Sequence, residues 1–343
     1  MKVSFVSSQA ISQALRYQTA RLQTDLAKAT KELGTLRVAD TGLALGARTS
    51  ISVSLNREMS RLQGLIDSNK LAATRLETTQ RGLQELTNSA GNLLGDYSTA
   101  LTGVADPSIV KQQAAAMLSS MASILNGNLS GENIYAGINT DVQPFADFLD
   151  PASPNRVAFD TAFASYPFAD PADITAAEMD AFLTSVEPQF LGAGWQGTWS
   201  QATDQTITSR ITLTETAQTS VSANSSGFRK LAMAAAIVAA TVDGSLSEEA
   251  RNAVVNRGIA LLGEAITDLG NQQSHTGITE QRLDKANERL TMQMNLFSST
   301  IQELEGVDEY EVTTRVNSLR TQIEISYSLT SSMRQLSLLN YLS

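Results

Sequence analysis

The sequence has no cysteine, a single histidine and few aromatic residues. Among the 343 residues the one histidine is His275, and aromatic residues make up 6%. The missing thiols exclude disulfides, thiolate nucleophiles, zinc fingers and iron–sulfur clusters. With so few aromatics, a core must be built mainly from Leu, Ile, Val and Ala, and the 42% hydrophobic content is enough for one.

Charge is also scarce, and it is mostly negative. Charged residues make up 17% of the chain, against roughly 25% in ordinary soluble domains. The formal net charge is −10, so nucleic-acid binding is not expected. The longest apolar run, residues 231–240, is too short to span a bilayer, and no cleaved signal peptide is recognisable, so membrane insertion is not expected either.

Proline is absent from both ends of the chain. All seven prolines lie between residues 107 and 188, and seven of the ten phenylalanines lie between residues 145 and 190. Residues 1–106 carry a net charge of +3 and residues 107–228 a net charge of −9. Two proline-free arms therefore flank an acidic, aromatic-rich middle.

Both arms show the seven-residue repeat of packed helices. In the first arm apolar residues recur at the 4-3 spacing of a coiled-coil seam, and the last segment continues a similar pattern. A lone amphipathic helix cannot bury such a stripe, so the two terminal segments must pack. The residues predicted to form this axial packing surface are Leu15, Leu22, Leu26, Leu33, Leu36, Leu319, Ile323, Leu329, Leu336 and Leu339.

The predicted fold is mainly α: a long coiled-coil-like helical bundle of paired N- and C-terminal segments, with a small α+β insert. Apolar and polar residues alternate over 206–214, which predicts a half-buried strand. The spacing of Thr175 and Glu178 predicts the capped start of a short helix that stops near Pro188. The expected segments are a terminal axial helix with its loop (1–50), the first half of the bundle (51–140), the insert (141–225), the second half of the bundle (226–305) and a C-terminal axial helix (306–343).

Helix starts are predicted at three further places. Asp106 precedes Pro107, and the pairs Ser245 with Glu248 and Asp308 with Glu311 have capping-box spacing. Polar residues at seam positions leave two alternatives open: Asn69, Gln80 and Asn287 either fix the register of packed helices or face water.

No pattern predicts an enzyme, a metal site or a cofactor. His275 follows Ser274, but adjacent residues do not normally converge as nucleophile and base, and a loop histidine is expected. The acidic run 303–311 lacks the ligand order of a calcium loop and is expected to be a solvated helix start. Trp195 and Trp199 are expected to be core residues of the insert.

Three segments together resemble the flagellin superfamily. Residues 33–69 resemble its first helix, glycine-bearing loop and second helix, and residues 305–342 resemble its terminal helix. Residues 127–145 are similar to the segment that closes the N-terminal helical half in the hook-associated members. The residues that carry this similarity, and distinguish it from filament flagellin, are Tyr135, Gly137, Pro144 and Phe145.

The resemblance implies a structural subunit and a set of partners. The chain would be exported unfolded by the flagellar type III apparatus, with an export chaperone on its C-terminal helix, and would act outside the cell. It would form a ring of identical subunits between a hook-side junction protein and flagellin. Three alternatives stay open: filament flagellin itself, a cytoplasmic coiled-coil scaffold, and a hydrolase that uses His275.

Overall fold

Long α-helices dominate the chain. The computed structural model describes residues 8–102, 106–168, 170–242 and 245–342, leaving aside the side chains of residues 8–9 and 333–342. In the described part the α-helices are α1 Ser8–Thr35, α2 Thr41–Leu45, α3 Thr49–Leu101, α4 Pro107–Leu125, α5 Pro154–Ser165, α6 Ala176–Leu191, α7 Ser226–Thr241, α8 Glu248–Glu305 and α9 Glu309–Leu342. The predicted mainly α class is confirmed.

The strands are short and form two antiparallel hairpins. Strand β1 Asn128–Leu129 pairs with β2 Glu132–Asn133, and β3 Thr208–Arg210 pairs with β4 Thr216–Gln218. The prediction of one strand over 206–214 is therefore wrong in extent. The chain turns after residue 210, where the amides of Ile211 and Thr212 both donate to the Glu215 carbonyl.

The chain divides into two units, called unit 1 and unit 2 below. Unit 1 comprises residues 1–63 and 291–343, and unit 2 comprises residues 64–290. In unit 1, α1 packs along α9. In unit 2, α4 and α6 both pack against α7, and a single large apolar cluster joins these helices to parts of α3 and α8.

Helix α7 is the centre of unit 2. Residues 231–238 of this alanine-rich helix are completely buried on every side, which is why its sequence shows no polar face. The aromatic residues lie in the same cluster. The Trp195 and Trp199 rings are stacked at 5.7 Å and are completely buried, which confirms that they are core residues.

Helix ends follow the capping predictions in part. Asp106 accepts a hydrogen bond from the Ser108 amide, and Thr175 with Glu178 forms the full capping box. Two predictions are wrong in detail. Ser247 caps α8 by accepting from the Ala250 amide, so this helix does not begin directly after Ser245. Helix α6 continues past Pro188 to Leu191, where burial of Phe190 offsets the backbone hydrogen bond that proline cannot donate.

Two of the three polar seam residues, Asn69 and Asn287, contact each other in unit 2. Asn69 is completely buried, and its Nδ2 donates to the Ile211 carbonyl at 2.9 Å and to Asn287 Oδ1 at 2.8 Å. Of the two alternatives, Asn69 and Asn287 thus follow the first: they face each other across α3 and α8 and hold the β3–β4 turn against both helices. An amide pair of this kind fixes helix register, because a shifted register would leave buried polar groups unpaired.

A second polar cluster joins α7 to α8 in unit 2. Lys230 forms ion pairs with Glu264 and Asp268, each at 2.9 Å. The hydrogen bond to Asp268 raises the pKa of Lys230. Burial raises the pKa of Asp268, but hydrogen bonds from Lys230 and Ser226 outweigh that effect and leave this pKa below its ordinary value.

This cluster predicts a pH-dependent contribution to stability. A carboxyl group with a lowered pKa stabilises the fold above its unfolded pKa near 4 and loses that effect as the pH falls through its folded pKa. We expect Asp268→Asn to lower the free energy of unfolding by about 0.5–1 kcal/mol at pH 7, and we expect this difference to shrink toward zero as the pH falls below the unfolded pKa near 4 and through the lowered folded pKa. Urea unfolding followed by tryptophan fluorescence measures this, with Asp180→Asn on the exposed face of α6 as control. A difference that stays constant with pH would contradict the assignment.

Candidate assembly interface

The pair formed by α1 and α9 has only a thin core. Ala29 of α1 and Val312 and Val316 of α9 are buried against one another. Leu26, Leu33, Val307 and Leu319 pack around them and remain partly exposed. Helix α9 begins after Asp308, whose carboxylate accepts from the amides of Tyr310 and Glu311, so the predicted cap is confirmed. The Glu311 carboxylate, the other half of the predicted capping box, pairs instead with Arg315. The two helices thus bury a narrow seam and leave most of their surface uncovered.

The predicted axial residues differ in their degree of burial. Ile323 is 9% exposed, and Leu15, Leu22, Leu26, Leu33 and Leu319 are half-buried. Leu36 and Leu329 are 44% and 51% exposed. The side chains of Leu336 and Leu339 lie outside the described residues. The packing role of all ten residues in an assembly stays a prediction.

Polar contacts hold the helix pair in register. Glu32 lies 3.3 Å from Arg315, and Gln23 donates to the Tyr327 hydroxyl at 2.6 Å. Arg315 also pairs with Glu311 on its own helix at 2.7 Å. Because such exposed contacts contribute little stability, the pair depends mainly on its small apolar seam.

Exposed apolar side chains are concentrated in unit 1. Among the described residues, nineteen large apolar side chains are strongly exposed; seven belong to unit 2 and twelve to unit 1, which has only about a third of the chain. The twelve are Ile11, Tyr17, Leu36, Leu43, Ile51, Val53, Met292, Leu296, Tyr310, Ile325, Tyr327 and Leu329. This concentration makes unit 1 the candidate surface for binding other protein.

The motif around Tyr135 is a buried anchor in unit 2. Tyr135 is 1% exposed, and its hydroxyl donates to the Thr79 carbonyl of α3 at 3.1 Å. Gly82 lies directly beneath this hydroxyl and has no room for a Cβ atom. Burial raises the pKa of Tyr135, so the hydroxyl stays protonated.

The rest of the motif ties the end of α4 to the insert. Gly137 has φ +69° and approaches Thr203 and Gln205 too closely for any side chain. Phe145 is buried, and its backbone exchanges two hydrogen bonds with the Asn126 side chain at the end of α4. The Pro144 carbonyl accepts from the Gln201 amide at 3.1 Å. These residues therefore position the insert by contacts inside one chain.

A cluster that the sequence analysis missed lies around Glu305. Glu305 is 5% exposed and contacts Ser52 and Arg37, although the run 303–311 was expected to be solvated. In the sequence, Glu305 is marked only as an acidic residue at the end of a long apolar repeat, directly before Gly306. No local pattern identifies Ser52 and Arg37 as its partners.

The histidine does not form a catalytic pair. His275 is exposed within α8, so the expectation of a loop is wrong, and the Ser274 hydroxyl donates to the Gly270 carbonyl. In the described part of the chain, no group of three or more His, Asp or Glu side chains is arranged to hold a metal ion. Likewise, none of the described helices combines the length and apolar character of a membrane span.

Comparisons with known proteins converge on one family. Residues 6–140 match the model of the bacterial flagellin N-terminal helical region, and residues 259–342 match that of the C-terminal helical region. A solved structure from Vibrio parahaemolyticus, assigned as a flagellar hook-associated protein, resembles the fold with a TM-score of 0.53. It is 10% identical in sequence, and the similarity covers 75% of this chain and 97% of that one. No curated protein matches the chain.

Proposed function

The chain belongs to the flagellin superfamily and is a structural subunit of the bacterial flagellum, and from that premise we propose that it is the hook–filament junction protein. In this role it forms an adaptor ring of identical subunits. One side of the ring binds the hook-side junction protein, and the other binds the first flagellin subunits.

The observation that carries this proposal is the uncovered apolar surface of unit 1. The α1–α9 pair buries a narrow seam and exposes apolar side chains that packing against neighbouring subunits would cover. The motif at Tyr135, Gly137, Pro144 and Phe145 supports the hook-associated assignment over the filament subunit, as does the overall fold shared with the Vibrio protein.

The remaining parts of the proposal concern the route and the segments. The chain is exported unfolded by the flagellar type III apparatus, and an export chaperone holds its C-terminal helix beforehand. Residues 1–50 and 306–343 form the axial segments, residues 51–140 and 226–305 form the bundle, and residues 141–225 form the outer insert. The net charge of −9 over residues 107–228 favours solvent exposure of this insert.

A second candidate is the filament flagellin itself. It is favoured by the two matching family models, which are both described as flagellin regions. It differs from the junction role in abundance and position, because a filament subunit is present along the whole filament and a junction subunit only at its base.

Deletion of the gene separates the two candidates. For the junction protein we expect hooks without filaments and flagellin released into the medium, because exported flagellin then has no template. For the filament subunit we expect no released flagellin of this kind. Electron microscopy of the hooks and immunoblotting of the culture medium measure both, with plasmid complementation as control. Complete filaments on the deletion strain would contradict both candidates.

A further inference from the structure

Unit 1 contains a buried carboxylate on which three separate segments converge. Glu305 ends α8, and its side chain is 6% exposed. One carboxylate oxygen accepts from the Ser52 hydroxyl in the first turn of α3, and the other lies 3.3 Å from the guanidinium of Arg37, just after α1. The Glu305 backbone carbonyl accepts from the Val38 amide at 2.8 Å.

Backbone contacts place the cation at this carboxylate. Arg37 forms an antiparallel bridge with Gly306, and the Val307 amide donates to the Leu36 carbonyl at 3.2 Å. Leu36 adopts φ +53°, which ends α1 and turns the chain toward the α8–α9 break. Arg37 therefore reaches Glu305 only when residues 36–38 are docked beside residues 305–307.

Compensation of the Glu305 charge links the docking of residues 36–38 to the stability of the rest of unit 1. An ionised carboxylate removed from water destabilises its surroundings unless a cation and hydrogen-bond donors compensate it. Ser52 supplies a hydrogen bond but no charge. In the described part of the chain, the cation paired with Glu305 is Arg37. If residues 36–38 detach, the buried negative charge remains against the first turns of α3.

We infer that Glu305 couples the docking of α1 to the packing of the first turns of α3 on the end of α8. The coupling is cooperative in both directions, because either event alone leaves the carboxylate poorly compensated. It rests on the proposed function only for its purpose: in an assembly, the same coupling would hold the first turns of α3 in place for contact with a neighbouring subunit. Ile51 and Val53, which lie on these turns, are 50% and 61% exposed.

Hydrogen exchange measured by mass spectrometry on the full chain tests the coupling. We expect Arg37→Met, which keeps the aliphatic stem, to raise exchange about tenfold or more at residues 36–38, at 305–307 and also at 53–60. Adding Glu305→Gln should return residues 53–60 to within about threefold of wild type, since a neutral amide needs no counter-charge, while residues 36–38 stay fast. Arg48→Met removes an exposed arginine from the same loop and should change nothing beyond about twofold.

Two results would overturn the inference. One is an Arg37→Met effect confined to residues 36–38, and the other is a double variant in which residues 53–60 stay as fast as in Arg37→Met. Fluorescence of Trp195 and Trp199, both buried in unit 2, reports in each variant whether unit 2 has folded. The exchange is read on the isolated chain, so a failed deletion phenotype would remove the proposed function and leave the coupling standing.

Discussion

Replacing Leu26 by aspartate should abolish motility in a strain that depends on the plasmid-borne gene. Leu26 packs against the buried cluster of Ala29, Val312 and Val316, which joins α1 to α9. A carboxylate at this half-buried position either loses part of its hydration or forces the helices apart, at a cost of about 1–3 kcal/mol. The thin seam has little else to offset that loss, so the helix pair should fail to order and the subunit should fail to incorporate.

The design separates incorporation from folding and from export. Swimming in soft agar measures motility, immunoblotting of the medium measures export, and tryptophan emission reports the fold of unit 2, where both tryptophans are buried. Thr30→Asp places the same charge on the exposed face of α1 and should leave the seam intact. Normal swimming with Leu26→Asp would show that the seam is not needed for assembly.

Replacing Gly137 by alanine should destabilise unit 2 by about 3 kcal/mol or more. Two costs add at this position. A residue with a side chain at φ +69° costs roughly 1–2 kcal/mol, and the new Cβ atom would lie 2.6 Å from the Gln205 carbonyl oxygen, which belongs to rigid backbone. Denaturant unfolding followed by tryptophan fluorescence measures the change.

Two other glycines of unit 2 isolate these costs. Gly131 has φ +92° but open space around it, so Gly131→Ala should show the conformational cost alone, about 1–2 kcal/mol. Gly91 lies within α3 with nothing near its Cβ position, so Gly91→Ala should stabilise the protein by about 0.5–1 kcal/mol. Equal effects at positions 131 and 137 would show that the close approach to Gln205 has no energetic importance.

The features that sequence predicted well are those decided within a few residues. Asp308 and Thr175 cap their helices as expected, because a cap depends only on a side chain and the amides two or three residues later. The seven-residue apolar repeats likewise predicted the mainly α fold, because the periodicity of a helix is visible within a few turns of sequence.

Features decided by distant residues were predicted poorly. The strand expected over 206–214 is instead a strand and a turn. Asn69 holds the Ile211 carbonyl of that turn, while Arg282 and Arg289 bind Glu215, and all three lie far away in sequence. The alternating pattern of residues 206–214 does not indicate that these distant residues bind the turn. The same limit applies to Glu305, whose burial depends on Arg37 and Ser52, more than 250 positions earlier.

Unit 1 is built from both ends of the chain, so it can form only after the C-terminal end has been synthesised. Glu32 and Arg315, which pair within it, are separated by 283 positions. At 5–20 residues per second, a ribosome needs roughly 15–60 s to travel between them. Throughout that interval the nascent α1 has no α9 to pair with, whereas α4, α6 and α7 of unit 2 are all made before α9 and can pack together earlier. Unit 1 is therefore the last part of every newly made molecule to close.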